Sequence, residues 1–292
     1  MKRRSFIGKT AAATLALTHT SRLFALEADN VYRKDIGIQL YTLRNELGKD
    51  PLGTLKQVAA AGYQQVELYG FPDAKPLIEG ANEAGLAVNS AHFDWETVTN
   101  PEDPEFSDFL KILDQAKALN LSHLVIPYLK DHNRGSLDAY RKVAENANKV
   151  AVLARQAGIQ LAYHNHNFEF EPKEGGKSGF DILIEEFSPE MHFEIDVFWV
   201  KAAGLDPIAL IQKLTGRVSQ LHLKDLKQGS TIPSYGSMPE AAYKELGNGI
   251  IPMEPIMIAA AAAGVKHCHV EQDHSPDPIA SIQESMAYLQ KL

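Results

Sequence analysis

Two periodicities of apolar residues alternate along the chain, one typical of short buried strands and the other typical of amphipathic helices. Eight short apolar runs predict strands, and the segments between them predict helices. The predicted strands are residues 36–41, 65–69, 87–92, 123–127, 160–166, 192–196, 218–223 and 266–271. The predicted helices include residues 52–61, 74–84, 104–119, 137–157, 180–187, 207–214, 252–263 and 278–290. Eight strand and helix units are the number that closes a parallel (β/α)₈ barrel.

Glycines end several predicted helices just before the next strand, as left-handed helix caps do. They are Gly62, Gly85, Gly158, Gly216 and Gly264. A doubly wound sheet, the other common α/β architecture, usually has a glycine-rich phosphate-binding turn after its first strand. Here the first strand runs instead into Gln39-Leu40-Tyr41-Thr42-Leu43-Arg44. We therefore predict the α/β class, with one TIM barrel over residues 31–292.

The N-terminal segment has the composition of an export signal. Arg3 and Arg4 precede Phe6 and a short, weakly apolar stretch over residues 10–17, which resembles a twin-arginine signal. This stretch is far shorter than the roughly 18 residues of a membrane span. We predict a signal peptide over residues 1–25, cleaved after Ala25 or Ala28, with folded export to the periplasm by the twin-arginine machinery and no stable membrane anchor. A basic disordered tail is the alternative.

Charge and cysteine content narrow the function further. Removal of residues 1–25 takes away five basic residues and no acidic one, which changes the formal net charge from −8 to −13. Nucleic acid is then a poor partner, because a duplex-binding protein needs a basic surface to displace counterions. Cys268 is the only cysteine, so stability depends on the core and not on an internal disulfide. The remaining 267 residues suffice for one barrel of about 250 residues.

Four of the predicted strands carry, at or near their C-terminal ends, residues of types that bind metals. These residues are His164, Asp196, His222 and Glu271. The C-terminal ends of parallel barrel strands converge on one mouth, so the four side chains can share a divalent cation. Burial of this much charge without a cation would cost several kcal/mol, which favours a metal site over four separate structural roles.

Four motifs in this half of the chain resemble those of the sugar phosphate isomerase/epimerase group of xylose-isomerase-like barrels. They are His164-Asn165-His166-Asn167-Phe168-Glu169-Phe170, Glu194-Ile195-Asp196-Val197-Phe198-Trp199, Leu221-His222-Leu223-Lys224-Asp225 and Val270-Glu271-Gln272-Asp273. Ketose 3-epimerases, inosose dehydratases and enzymes that cleave 3-keto-glycosides belong to the same group. The resemblance spans about residue 35 to the C-terminus, and its motifs are specific to the superfamily but not to one substrate.

The resemblance implies a divalent cation, often Mn²⁺, held by Glu, Asp, His and Glu from strands five to eight. Matched residue by residue, Asp196, His222 and Glu271 take the last three positions. His164 stands where the family usually has glutamate, and Glu169 from the following loop is the rival first ligand. One negative charge fewer shifts the preference from Mg²⁺ toward Mn²⁺, Zn²⁺ or Fe²⁺, and we expect Mn²⁺.

Residues beside the predicted ligands are candidates for catalysis. Period-two alternation places His166 on the same strand face as His164, and Lys224 two residues after His222 also faces the mouth. We expect Glu169 and His166 to move a proton and Lys224 to stabilise an enediolate. The alternative for Lys224 is an ion pair with Glu271 or Glu194.

A polar and aromatic wall suited to a sugar is predicted around this centre. Its candidate substrate-binding residues are Gln39, Tyr41, Glu67, His92 and Trp199. Glu194 either orients a ligand or is a core carboxylate, and four histidines receive no functional role: His123, His192, His267 and His269. The segment Lys227–Gly249 has no clear apolar period, so it is either a loop that overhangs the mouth or a tolerated surface insertion.

The resemblance implies a metal-dependent isomerase or epimerase that acts on a sugar or keto-sugar through an enediolate. The alternative is a lyase or dehydratase that acts on 3-keto-glycosides or inosose-like substrates, because all of these reactions share the same intermediate. A non-catalytic sugar-binding barrel is the second alternative. An endonuclease of the related DNA-repair barrels is opposed by the acidic charge and by the predicted secretion.

Overall fold

The barrel is the central feature of the computed structural model, which describes residues 35–100 and 102–292. Eight parallel strands close in the order β1-β10-β7-β6-β5-β4-β3-β2, so neighbouring barrel strands are also successive in the chain. They are β1 Gly37–Gln39, β2 Gln65–Phe71, β3 Ala87–Phe93, β4 His123–Ile126, β5 Gln160–His164, β6 Met191–Asp196, β7 Val218–Leu223 and β10 His267–Val270. The predicted (β/α)₈ barrel is confirmed. The predicted signal peptide, residues 1–25, lies outside the described residues.

Helices follow the strands and cover the outside of the barrel. The α-helices are Arg44–Leu47, Pro51–Ala61, Lys75–Ala84, Glu96–Thr99, Ser107–Ala118, Leu137–Gln156, Gly179–Glu186, Val197–Ala202, Pro207–Lys213, Met253–Ala263 and Pro278–Leu289. Short 3₁₀ helices lie at Leu40–Leu43, Asp131–Asn133, Phe168–Phe170, Glu174–Gly176 and Glu240–Ala242. None of the helices in the described part of the chain is both long and apolar enough to span a membrane.

Local sequence explains where many helices begin and end. Asp50 and Ser136 each accept a hydrogen bond from a backbone N–H of the first helical turn, and Ser178 forms a capping box with Asp181. All five glycines predicted to end helices have φ values between +76° and +108°. These values lie in the left-handed region that favours glycine, which explains why the helix ends could be predicted closely.

Two predicted strands end two residues earlier than their apolar pattern suggests. Strand β1 ends at Gln39 because its side chain accepts a hydrogen bond from the backbone N–H of Tyr41 at 3.1 Å, which begins the 3₁₀ turn Leu40–Leu43. Strand β5 ends at His164 instead of residue 166. The side chains beyond these ends therefore follow turn geometry and not the two-residue alternation of a strand.

The hydrophobic core lies between the strands and the helices. Along each barrel strand, apolar residues such as Ile195 and Leu221 alternate with buried polar residues such as Glu194, Gln220 and His222. The apolar residues belong to the continuous hydrophobic cluster, whereas the polar ones contact each other inside the barrel. The apolar packing between the strands and the helices thus stabilises the fold. The interior of the barrel is then free to hold a polar site.

Candidate active site

Four side chains from successive strands meet at the C-terminal mouth of the barrel. The β-sheet register places Asp196 beside His222 across β6 and β7, and His164 ends β5 opposite Glu194. Glu271 directly follows β10. One ligand atom from each of the four predicted ligands, His164, Asp196, His222 and Glu271, lies within 4.8 Å of the others. The structure therefore brings together the predicted set, including His164.

Hydrogen bonds on the far side of three of these residues fix their orientation. His164 Nδ1 donates to the carbonyl oxygen of Pro127 at 3.2 Å, and His222 Nε2 donates to Glu67 Oε2 at 2.7 Å. Asp196 Oδ1 accepts from the backbone N–H groups of Phe198 and Trp199 at 2.9 and 3.2 Å, where it caps a helix. The remaining nitrogen of each imidazole is then the lone-pair nitrogen that a metal requires.

The four atoms that face the centre are buried and have no hydrogen-bond partner among the described residues. They are His164 Nε2, Asp196 Oδ2, His222 Nδ1 and Glu271 Oε2. His222 Nδ1 and Glu271 Oε2 lie only 2.7 Å apart. These buried atoms face one another and the ammonium group of Lys224, and a bound divalent cation would coordinate all four at once. The residues present thus fit a metal ion with nitrogen and oxygen ligands.

Lys224 lies beside the same oxygens. Its Nζ forms ion pairs with Asp196 Oδ2 at 3.0 Å and with Glu271 Oε2 at 2.7 Å, and it donates to Asp273 at 3.2 and 3.3 Å. Burial would lower the pKa of Lys224, but these carboxylates hold that pKa well above its usual range. Lys224 is therefore a fixed positive charge at the mouth. The sequence analysis gave an ion pair of Lys224 with Glu271 or Glu194 as the alternative. The pair with Glu271 is present, and the pair with Glu194 is not.

A second group of side chains lies directly beneath the first and shares His222. It comprises Glu67, His92, Glu194 and His222. His92 Nε2 is 2.9 Å from Glu194 Oε2, and Gln39 and Ser90 donate to Glu67. Burial alone would lower the pKa of His92, but the charge of Glu67 and the hydrogen bond to Glu194 raise that pKa to about 9. The oxygens and nitrogens of these side chains already have partners within the group or beside it. This group therefore supports the four predicted ligands above it.

The balance of charge at the mouth also favours a cation. Five carboxylates lie in the two layers or next to them: Glu67, Glu194, Asp196, Glu271 and Asp273. Lys224 is the only lysine or arginine in the described part of the chain that forms an ion pair with any of them. The histidines can supply further positive charge only by protonation. A divalent metal ion would offset the excess negative charge.

The predicted substrate-binding residues lie at different depths. Gln39 and Glu67 have no exposed surface, and their hydrogen bond to each other at 2.8 Å places them under the four ligand atoms. In this arrangement they support His222 and do not reach the mouth. His92 is 8% exposed and Tyr41 is 41% exposed at the rim. Trp199 is 6% exposed and lines a cavity beside the mouth.

Glu169, predicted as an acid/base residue and as the rival first ligand, lies away from the ligand cluster. Its Oε1 accepts from the Tyr163 hydroxyl at 2.7 Å, and its Oε2 accepts from the backbone N–H of His166 at 2.9 Å. Tyr163 precedes His164 in β5, so its side chain projects toward the helix layer and away from the barrel interior. Glu169 is also fully buried. This geometry assigns it to positioning of the His166 loop.

We expect the replacement Glu169→Gln to change how stability depends on pH. Burial raises the pKa of Glu169 to about 7, although the Tyr163 hydrogen bond opposes the shift, whereas an unfolded glutamate has a pKa of 4.5. At a pH between these two values, the folded protein holds a proton on Glu169 that the unfolded chain releases. The stabilisation that this proton gives wild type is complete below pH 4.5 and is lost as the pH rises through about 7. The variant should gain about 3 kcal/mol relative to wild type between about pH 4.5 and about pH 8.

Urea denaturation at a series of pH values measures this difference. Glu105→Gln is the matched control, because Glu105 is exposed, and its curve should run parallel to that of wild type. Parallel curves for Glu169→Gln as well would show that the buried carboxyl group does not titrate in this range.

Two adjoining cavities open around the ligand cluster. The mouth cavity has a volume of about 470 Å³ and is lined by His92, His164, His166, Lys224 and Glu271 among others. The second, here called the lateral cavity, has a volume of about 550 Å³, and its walls include Tyr128, Tyr140, His166, Phe168, Trp199 and Tyr235. His166 lines both cavities. Burial lowers the pKa of His166 well below its usual range, and the neighbouring His164 and Lys224 act in the same direction.

The loop Lys227–Gly249 lies beside the mouth: its residues Tyr235, Gly236 and Met238 line the lateral cavity, and none of its residues is among those that line the mouth cavity. Its base contains the antiparallel ribbon of β8 Asp225–Leu226 and β9 Tyr243–Lys244. The Asp225 carboxylate accepts hydrogen bonds at 2.8–3.0 Å from four backbone N–H groups, those of Leu226, Gly247, Gly249 and Ile251. Asn167 donates to the carbonyl oxygens of Ser234 and Gly236 at 3.0 and 2.7 Å. The loop therefore forms a fixed wall of the lateral cavity.

Sequence reasoning missed several residues that position the site. Asn165 pairs with the backbone of Asp196, with its Oδ1 3.1 Å from the Asp196 nitrogen. Tyr140 reaches the lateral cavity from the helix Leu137–Gln156. The available signals are weak. Asn165 beside the histidines and Asp225 after Lys224 both lie within the motifs, but the sequence does not indicate their partners.

Comparisons with known proteins agree with this architecture. A family model described as the xylose isomerase-like TIM barrel matches residues 55–292. The chain is 26% identical over 265 residues to an inosose dehydratase of Mesomycoplasma hyopneumoniae strain 7448, which covers 82% of this chain and 87% of that protein. Among solved structures, it resembles a sugar phosphate isomerase/epimerase from Parabacteroides distasonis with 26% identity and a TM-score of 0.70, covering 89% of this chain and 98% of the other.

A more distant structure shows the fold alone. A 3-keto-D-glucoside 4-epimerase from E. coli superimposes with a TM-score of 0.64 at 13% identity, covering 88% of this chain and 99% of the other.

Proposed function

The chain belongs to the xylose isomerase-like TIM-barrel family, and from this premise we propose that it is a metal-dependent enzyme that removes a proton beside the carbonyl group of a keto-sugar or an inosose. The observation that carries the proposal is the cluster of four buried ligand atoms, from His164, Asp196, His222 and Glu271, that lie within 4.8 Å of one another. Mn²⁺ is the ion that we expect there, because two imidazoles and two carboxylates suit it better than they suit Mg²⁺.

A cation held there would polarise a carbonyl and a neighbouring hydroxyl of the substrate and so acidify the C–H bond between them. The protein residues around the mouth cavity supply the rest. His166 lies on its wall and takes the role of the base that accepts the proton. Lys224 places a positive charge where negative charge develops on the substrate oxygen.

Elimination is the outcome that we favour after this proton transfer. The curated relatives that cover most of the chain are named inosose dehydratases, and dehydration requires the loss of a substituent one carbon beyond the acidified position. Isomerisation or epimerisation, the reaction expected first from the motifs, is the second candidate. It is favoured by the structural relative named as a sugar phosphate isomerase/epimerase.

Solvent exchange tests the proposal whichever product forms. The Mn²⁺-loaded protein is incubated in D₂O with an inosose or a keto-sugar, and NMR follows deuterium at the carbon beside the carbonyl. We expect exchange that is lost after treatment with a chelator and restored by Mn²⁺. Exchange that is equal with and without metal would overturn the metal-dependent mechanism. Saturable sugar binding without exchange or turnover would favour the non-catalytic sugar-binding barrel.

A further inference from the structure

We propose that His274 is the general acid of the elimination step, which gives a proton to the hydroxyl group that leaves the substrate. The inference rests on the proposed function for the position of the substrate in the mouth cavity and for removal of its carbon-bound proton. It goes beyond that function because it names the proton donor that dehydration needs in addition to a base.

His274 lies where the cavities around the mouth meet. It lines the mouth cavity, the lateral cavity and a third cavity of about 450 Å³ beside them. Its side chain is 42% exposed, so a substrate can contact the ring. His274 follows the predicted ligand Glu271 by three positions, which limits the distance between their Cα atoms to about 11 Å. A substrate held at the predicted ligands is therefore within reach of this imidazole.

Hydrogen bonds fix the backbone that carries His274. The backbone N–H of Gln272 donates to Thr42 Oγ1 at 3.1 Å, and Gln272 Nε2 donates to the carbonyl oxygen of His274 at 3.1 Å. Arg44 donates to the carbonyl oxygen of Asp273 at 2.9 Å. The turn after β10 therefore holds the imidazole at a defined position beside the mouth, as proton transfer requires.

His166 and His274 approach the mouth cavity from different sides. His166 follows β5 and His274 follows β10, and β6 and β7 lie between these two strands in the closed barrel. The Trp199 ring centroid is 5.2 Å from that of His166, and the Tyr243 centroid is 5.2 Å from that of His274. These two intervening rings are 6.1 Å apart. One imidazole can thus accept the carbon-bound proton while the other reaches the leaving oxygen.

Other proton-bearing groups on the wall of the mouth cavity are engaged elsewhere. Lys224 and Asp273 are paired with each other, and His92 Nε2 is paired with Glu194. The tyrosines of this wall carry phenol groups, which are weaker acids than an imidazolium.

The His274 ring has a free nitrogen. Its Nδ1 lies 3.7 Å from Glu240 Oε1, and its Nε2 forms no hydrogen bond or ion pair with any residue in the described part of the chain. Imidazole is also the side chain that most often transfers protons in enzymes. His274 is therefore the group at the mouth that is best placed to donate a proton to the leaving oxygen.

The atoms and charges of the step balance with two imidazoles. His166 takes the proton from the carbon beside the carbonyl, and the electron pair of that C–H bond forms the enediolate. As the carbonyl group forms again, the pair moves into a new C=C bond and the C–O bond on the next carbon breaks. The His274 imidazolium gives its proton to the departing oxygen, which leaves as water. Proton exchange with solvent then restores both histidines.

Two substrates that differ only in the leaving group test this role with the full-length, Mn²⁺-loaded protein. One is an inosose, which loses a hydroxyl group, and the other carries fluorine in place of that hydroxyl group. Fluoride leaves as a stable anion and needs no proton. Ultraviolet absorbance of the unsaturated ketone and release of fluoride measure the two eliminations. Deuterium incorporation in D₂O measures removal of the carbon-bound proton.

His274→Gln should slow the loss of water by about 10²-fold or more, because glutamine cannot act as an acid. Loss of fluoride and deuterium exchange should stay within about twofold of wild type, since neither needs a proton from His274. His132→Gln is the matched control, because His132 is also exposed and lines none of the three cavities. All of its rates should equal those of wild type.

Equal slowing of both eliminations in His274→Gln would overturn the acid role and indicate that the residue only positions the substrate. Unchanged loss of water in this variant would also overturn it. Wild type that exchanges deuterium but eliminates neither group would overturn the role of His274 and leave the metal-dependent proton removal intact. Wild type without exchange or elimination would overturn the proposed function, and the role of His274 with it.

Discussion

Asp196→Asn should remove most of the bound divalent metal and abolish proton exchange, with little change in the fold. The two oxygens of Asp196 have separate tasks, since Oδ1 caps the helix Val197–Ala202 and Oδ2 faces the ligand cluster. Asparagine is as good a helix cap as aspartate, so the cap is retained. Its amide NH₂ group, however, carries no lone pair for a metal and no negative charge. We expect metal affinity to fall by at least about 10²-fold.

Metal analysis of the purified variant, together with circular dichroism, measures both parts of this prediction. Asp206→Asn is a matched control, because Asp206 Oδ1 caps the next helix by accepting a hydrogen bond from Ile208 at 2.9 Å but lies outside the ligand cluster. It should bind metal as wild type does. Full metal occupancy in Asp196→Asn would remove Asp196 from the ligand set.

The elements of the fold could be predicted because local signals agree with the global structure. The apolar runs, the capping residues and the positive-φ glycines lie within a few residues of the element that each one defines. The first strand shows the limit of this reasoning, because the side chain of Gln39 bends the backbone into a turn where the apolar pattern continues. As a result, Tyr41 lies at the exposed rim instead of facing the barrel interior.

The ligand cluster could be predicted because strand ends in a parallel barrel converge whatever the sequence between them. The supporting layer could not, since its contacts join residues that are far apart. Glu67 and His222 are separated by 155 positions, and their hydrogen bond depends on the strands facing each other across the barrel. Strand alternation predicts the inward direction of Glu67 but not its depth, so the sequence indicates a wall residue where the structure has a support for His222.

The loop residues are hardest to place from sequence, because their conformation depends on distant partners. Glu169 is one of two candidate first ligands in its motif, the other being His164, yet its carboxylate turns toward Tyr163 and the backbone of His166. Only the end of β5 at His164 and the turn that follows decide this direction. The same turn places His166 on the wall that the two cavities share. The turn after β5 therefore favours His166 over Glu169 as the acid/base residue.

His166→Gln should slow deuterium exchange beside the substrate carbonyl by about 10²-fold or more, while metal content stays unchanged. Glutamine fills much the same space but has no basic nitrogen to accept the proton. The ligand cluster does not include His166, so metal binding should persist. The assay is the initial rate of deuterium incorporation into a keto-sugar or inosose, followed by NMR with the Mn²⁺-loaded variant.

His192→Gln is the control for this change, because His192 lies near the start of β6, at the opposite end of the strand from Asp196. Its exchange rate should equal that of wild type. Loss of metal from His166→Gln would instead assign His166 to the metal environment. Turnover of a known substrate without any solvent exchange, in wild type, would indicate a hydride shift between the two carbons. In that case no side chain needs to accept the carbon-bound proton, and the position of His166 between the cavities would serve to orient the substrate.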